Sequence, residues 1–141
     1  MAKRKNNYMN DYRPNDGEAF MNTFQHTYFR DRLQVWREDI LRESRGTIAN
    51  LQEEQRQHPD VTDRASSEAD RALELRTRDR QRKLVSKIDS ALRRIEDGTY
   101  GYCEETGDPI GLSRLVARPI ATLSIEAQER HERRERFYRD E

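Results

Sequence analysis

Two aspartates, Asp60 and Asp63, stand three residues apart in the segment His58-Pro59-Asp60-Val61-Thr62-Asp63. Carboxylates so spaced can do acid–base work, hold a divalent cation weakly, or meet basic groups on a partner. Acid–base work needs a cleft to perturb their pKa values, and an exposed turn offers none. Their plainest use is local, because a carboxylate near a helix N-terminus is favourable by about 0.3–1 kcal/mol. Capping and partner binding both stay open at this point. A second charged run, Arg76-Thr77-Arg78-Asp79-Arg80-Gln81-Arg82-Lys83, contains no apolar residue. Taken alone it reads as a solvated helix face.

The single cysteine, Cys103, lies in Tyr100-Gly101-Tyr102-Cys103-Glu104-Glu105-Thr106-Gly107. This glycine-rich stretch has the layout of a zinc ribbon, with two ligand pairs about 20 residues apart. The four positions here are Cys103, Thr106, Ser124 and Ala127. Structural zinc takes four ligands, normally Cys or His, and this set supplies one. His131, one turn beyond Ala127, is a poor substitute. The segment is therefore expected to hold without zinc, through packing and hydrogen bonds from Thr106 and Ser124.

The elements that position these groups follow from periodicity. Residues 1–20 carry Asn, Pro and Gly in turn-forming combinations and are expected to form a mobile tail. From Asn22 to about Gln57, Phe29, Leu33, Trp36 and Ile40 recur at coiled-coil spacing. Pro59 disfavours helix at His58, and Asp and Thr open a new one. The second helix runs from about Asp63 to Asp97. Ala65, Ala69 and Ala72 are expected as small seam residues, followed by Leu73, Leu84, Ile88, Ala91 and Ile95. So short a connection joins antiparallel neighbours. Helices of ~35 residues at 1.5 Å per residue give a hairpin of ~50 Å. Residues 21–97 are thus one hairpin with its tip near 58–63.

Glycines and prolines break the helical pattern over 98–123. Tyr100, Tyr102, Ile110, Leu112, Leu115, Val116 and Ile120 can build a small core there, with a short strand possible at Ile110–Leu112. Residues 124–141 then hold a final helix, with Ser124 as N-cap. The fold class is mainly α: a long antiparallel coiled-coil hairpin, a small zinc-ribbon-like globular domain lacking zinc, and a C-terminal helix.

Composition sets the outer bounds. Of 141 residues, 33% are hydrophobic and 38% charged, too polar for one compact core. Twenty-seven basic residues balance 27 acidic ones. That balance favours ion-paired helices over disorder and argues against sequence-independent nucleic-acid binding. One cysteine permits no internal disulfide. No stretch approaches the ~20 apolar residues of a membrane span. The basic start, Lys3-Arg4-Lys5, is followed by no apolar run and is not read as a secretory signal. A soluble, cytoplasmic protein is expected. No nucleophile–base pair, phosphate loop or metal cluster marks an enzyme.

Together these residues resemble a known family. Gly98-Thr99-Tyr100-Gly101-Tyr102-Cys103, Pro109-Ile110-Gly111, Arg114-Leu115 and Ala117-Arg118-Pro119 are similar to the DksA/TraR family of RNA polymerase-binding regulators. The hairpin adds Asp60-x-x-Asp63-x-Ala65 and Leu73-Glu74-Leu75-Arg76-x-Arg78-Asp79-Arg80, and Phe20-Met21-Asn22 and Trp36 strengthen the likeness. The match covers residues ~20–135 and is far more specific than one motif. A J-domain co-chaperone also uses His-Pro-Asp between antiparallel helices. Its helices are much shorter, and its N-terminal tyrosine-and-leucine segment is missing here. A co-chaperone of that kind, or a coiled-coil adaptor without polymerase binding, is the alternative.

The resemblance implies a monomer that enters the secondary channel of bacterial RNA polymerase and contacts no DNA sequence. It implies that Asp60, Asp63 and Ala65 reach towards the active centre, and that Arg80 and Arg114 contact polymerase or support that contact. Open complexes are then destabilised, rRNA promoters repressed and some biosynthetic promoters activated. Guanosine tetraphosphate (ppGpp) strengthens the effect at positions matching Leu84, Lys87 and Arg118. A further family lysine is replaced here by Gln128. With three of four zinc cysteines missing, the chain resembles the cysteine-poor, zinc-independent members, with no metal and ppGpp as effector.

Overall fold

The computed structural model describes residues 12–57 and 61–139; the side chains of 47, 50, 51, 54–57 and 61–65 lie outside the description. Four helices follow one another: α1 (Thr23–Gln57), α2 (Val61–Asp97), α3 (Leu112–Ala117) and α4 (Ile125–Arg139). His58, Pro59 and Asp60 lie outside the described residues.

The start of α1 is fixed by side chains that answer orphan backbone donors. Asn22 is the N-cap: its Oδ1 accepts the Gln25 N–H at 2.9 Å. Gln25 Oε1 reaches back to accept the Met21 N–H at 2.7 Å, nearly the reciprocal pairing of a capping box. Residues ahead of the helix are also engaged. Tyr12 donates its hydroxyl to Glu18 at 2.5 Å, and Asn15 Nδ2 and Asn22 Nδ2 donate to the same carboxylate at 2.6 and 2.9 Å. The part of the expected tail that is described, residues 12–20, thus makes specific contacts. The residues before it are not described.

The chain divides into two compact units, and the division falls inside the long helices. One unit holds residues 12–33 and 91–139; the other holds 34–90. In the first, Phe29, Leu33, Ala91, Ile95, Tyr100, Cys103, Ile110, Leu112, Leu115, Ala121 and Ala127 are buried. Charged α1 and α2 present only a narrow apolar stripe, so the short loops and α3 complete this core. Tyr100 is fully buried, lies 5.5 Å from the Phe29 ring and donates its hydroxyl to the Pro119 carbonyl at 2.8 Å. A buried phenol needs such an acceptor.

Between α2 and α3 no strand forms among the described residues. A single antiparallel bridge links Tyr102 and Pro109. Leu112, expected at a strand end, instead opens α3 and is buried there with Leu115. Tyr102 and Val116 are more exposed than a core role requires, at 38% and 37%. Tyr102 packs edge-on against Phe20 with ring centroids 5.4 Å apart. Gly101 is required where it stands: its φ is +91°, and a Cβ would meet Met21 Cγ at 3.1 Å.

In the second unit the two helices meet along a seam. Ile40 and Ile88 are its buried apolar members, and Arg37 Nε donates to Asp89 Oδ1 across the pair at 2.7 Å. Leu84 is half-buried, in keeping with its expected seam place. Leu73 is not on the seam. It is 61% exposed, and Ala69 is exposed as well. The inward stripe on this part of α2 is largely polar: Ala72 is half-buried as expected, and Ala69 and Leu73 face outward.

Candidate functional site

Three groups of residues could carry function. At the start of α2, Asp63 is the third helical residue and Ala65 the fifth. A carboxylate there complements the partial positive charge of the helix N-terminus. Asp60 lies outside the described residues, as do the side chains of Asp63 and Ala65.

The cationic run sits on α2. Arg76, Arg78, Arg80, Arg82 and Lys83 are exposed. Asp79 answers two of them, with Arg82 Nη2 at 2.7 Å and Lys83 Nζ at 3.4 Å. Hydrogen bonds from Lys83 and Arg82 hold the Asp79 carboxyl below the usual range. Among the described residues Arg76, Arg78 and Arg80 form no ion pair. Arg76, Arg80, Lys83 and Lys87 follow at spacings of 4, 3 and 4, which puts them on one side of the helix. Arg80 and Lys87 thus lie two turns apart on one open basic side, with Lys83 between them. Leu84 is half-buried beside it.

The knuckle presents the third group. Arg118 is exposed just past α3, and its backbone N–H donates to the Arg114 carbonyl at 2.7 Å. Both sides of this loop are tied down. Tyr100 holds the Pro119 carbonyl, and Arg114 Nε donates to the Leu123 carbonyl at 2.9 Å. Arg114 is therefore half-buried and engaged in support. The role of Tyr100 beside Arg118 was not read from the sequence. A tyrosine in a core stretch was the available signal, because its hydroxyl must find a partner. Leu84 and Lys87 belong to one unit and Arg118 to the other. Gln128 is turned to its own helix and donates to Glu132 at 3.1 Å.

Cys103 is buried at the knuckle's centre. Burial pushes its thiol up, but hydrogen bonds from the Thr106 side chain and the backbone N–H groups of Ser124, Thr106 and Glu105 outweigh this and bring it to about 6. Thr106 Oγ1 accepts the Asp108 N–H at 3.2 Å, which leaves its own proton for the sulfur. Ser124 Oγ accepts the Ala127 N–H at 3.2 Å and so caps α4. Ala127 is fully buried and has no donor atom. The Thr106 and Ser124 hydroxyls thus each accept a backbone N–H within this part of the chain.

The base of the two long helices and the cysteine-containing knuckle belong to one compact unit. Two family models match this chain: the DnaK suppressor protein DksA N-terminal domain over residues 25–95, and the prokaryotic dksA/traR C4-type zinc finger over residues 98–133. The chain belongs to the DksA/TraR family. It is 70% identical over 131 residues to the RNA polymerase-binding transcription factor DksA of Caulobacter vibrioides, covering 93% of this chain and 92% of that one. The Escherichia coli protein of the same name is 43% identical, covering 89% and 83%. Among solved structures, transcription factor DksA2 from Pseudomonas aeruginosa superposes with a TM-score of 0.80 at 46% identity, covering 84% of this chain and 91% of that one. The zinc finger in the family description does not fit the residues present. One thiolate, an occupied serine hydroxyl and an alanine do not make a tetrahedral donor set. Among the described residues no three His, Cys, Asp or Glu side chains gather to hold a metal.

Proposed function

We propose that this chain is a non-enzymatic, cytoplasmic transcription factor that binds bacterial RNA polymerase and acts from its secondary channel as a monomer. One observation carries this reading: 70% identity to a protein named for RNA polymerase binding, spread over 93% of the chain and so over hairpin and knuckle alike. In this reading Asp60, Asp63 and Ala65 form the working end, and Arg80 with its basic neighbours meets the polymerase. Arg114 supports the knuckle, and Leu84, Lys87 and Arg118 serve a ppGpp response. Guanosine tetraphosphate is the effector, and no metal takes part. A nucleotide with several phosphates needs cations, and Lys87 and Arg118 are both exposed basic residues. No helix of the described residues is long and apolar enough to cross a membrane.

The test is transcription from an rRNA promoter in vitro, with purified polymerase and with or without ppGpp. The chain should inhibit, and ppGpp should deepen the inhibition. Asp63→Asn should keep its helical content and lose the inhibition. Normal inhibition by that variant would remove the tip from the mechanism.

A further inference from the structure

The seam of the second unit changes character along its length. Ile40 and Ile88 are buried and lie near the Arg37–Asp89 ion pair. Towards the turn, no described side chain on α1 past Ile40, or on α2 before Ile88, is buried to the same degree. From Ile88 the inward stripe of α2 continues at steps of 4, 3, 4 and 3 through Leu84, Gln81, Thr77 and Glu74, all half-buried. Three of these four are polar.

Those polar groups are poorly answered. Gln81 Nε2 reaches Glu43 at 3.4 Å, but Gln81 Oε1 is buried with no hydrogen-bond partner among the described residues. Glu74 Oε2 is buried in the same condition. Thr77 returns its hydroxyl to the Leu73 carbonyl of its own helix at 3.0 Å, and so gives nothing to the seam. A pocket of about 160 Å³ is lined by Gln81 together with Ile40, Leu41, Ser44, Val85 and the two arginines Arg78 and Arg82. Leu73 and Leu75, which flank Glu74 in sequence, are 61% and 46% exposed. Among the described residues, apolar burial, the main source of helix-pair stability, is thus only partial where desolvated oxygens oppose closure.

We infer that the distal hairpin, read at residues 41–53 and 66–81, is a separate and weaker folding unit, which opens and recloses while the turns around Ile40 and Ile88 stay shut. The polar layer of Gln81 and Glu74 sets this weakness. Packing on a partner would then order the distal hairpin. The stability difference belongs to the isolated chain and does not depend on which partner that is.

Amide hydrogen exchange on the intact protein, read by segment, tests the inference. Amides of 41–53 and 66–81 should exchange at least ~10-fold faster than those of 34–40 and 84–90, as expected of a sub-global opening. Gln81→Leu fills the layer and removes an orphaned oxygen. It should slow distal exchange by ~10-fold or more and leave residues 84–90 unchanged. Glu74→Leu should act in the same direction. Equal protection along both helices would overturn the inference. So would unchanged distal rates in both variants, or a slowing spread evenly over the whole unit.

Discussion

Cys103 is the one thiol among the four positions of the zinc-ribbon layout. A thiol among apolar groups is normally driven towards its neutral form. Here the donors at Glu105, Thr106 and Ser124 favour the thiolate and lower its pKa from 9.0 to about 6. Between those values the folded chain has released a proton that the unfolded chain retains. Stability must therefore rise with pH across that window and be lost as pH falls through 6. The expected slope is up to about 1.4 kcal/mol per pH unit. Urea denaturation at pH 6 and pH 8 measures it. Cys103→Ser should flatten this part of the profile, because a serine hydroxyl does not ionise there. An equal slope in that variant would assign the effect to other groups.

At the scale of elements, the coiled-coil pattern is uneven in a way that matters. Phe29, Leu33 and Ile40 were expected on the α1 seam and are buried; Ile88, Ala91 and Ile95 are buried likewise on α2. Leu73 was expected beside them and lies outside. Ile88→Ala should cost about 2–5 kcal/mol in chemical denaturation, the range for a buried aliphatic deletion. Leu73→Ala should change stability by less than about 0.5 kcal/mol, as at an exposed helix position. A large loss for Leu73→Ala would put that residue back in the seam. The helix boundaries were easier to read than the faces. Asn22 and Ser124 are capping residues whose hydrogen bonds are local, so their signal is carried by a few adjacent positions. Which face of α2 turns inward near Glu74 depends on α1, and the local pattern there places Leu73 and Ala69 on a seam from which they are turned away.

For the whole molecule, the consequences concern the metal and the nucleotide. A knuckle held by hydrogen bonds and a buried Tyr100 should not depend on zinc. Treatment with a strong chelator is expected to leave the thermal midpoint and helical content unchanged. Unfolding by the chelator, with about one zinc per chain in the untreated protein, would refute this. In the proposed function Arg118 serves the effector and not polymerase binding itself. Arg118→Ala should then reduce only the ppGpp-dependent part of promoter inhibition. Equal loss with and without nucleotide would argue against a nucleotide role.

Sequence alone determined the class of this protein, because its signals are local or strictly periodic. Seam spacing, the break at Pro59, the glycine-rich knuckle and the missing zinc cysteines all stand in short stretches of chain. They resemble the DksA/TraR family without reference to any long-range contact. Tertiary structure decided what depends on residues far apart. Tyr100 meets Pro119, Arg114 is committed to Leu123, and Cys103 collects donors from both sides of the knuckle. It also decided that the distal seam is polar and Leu73 exposed. A helix has several candidate faces, and only its neighbour determines which one loses water.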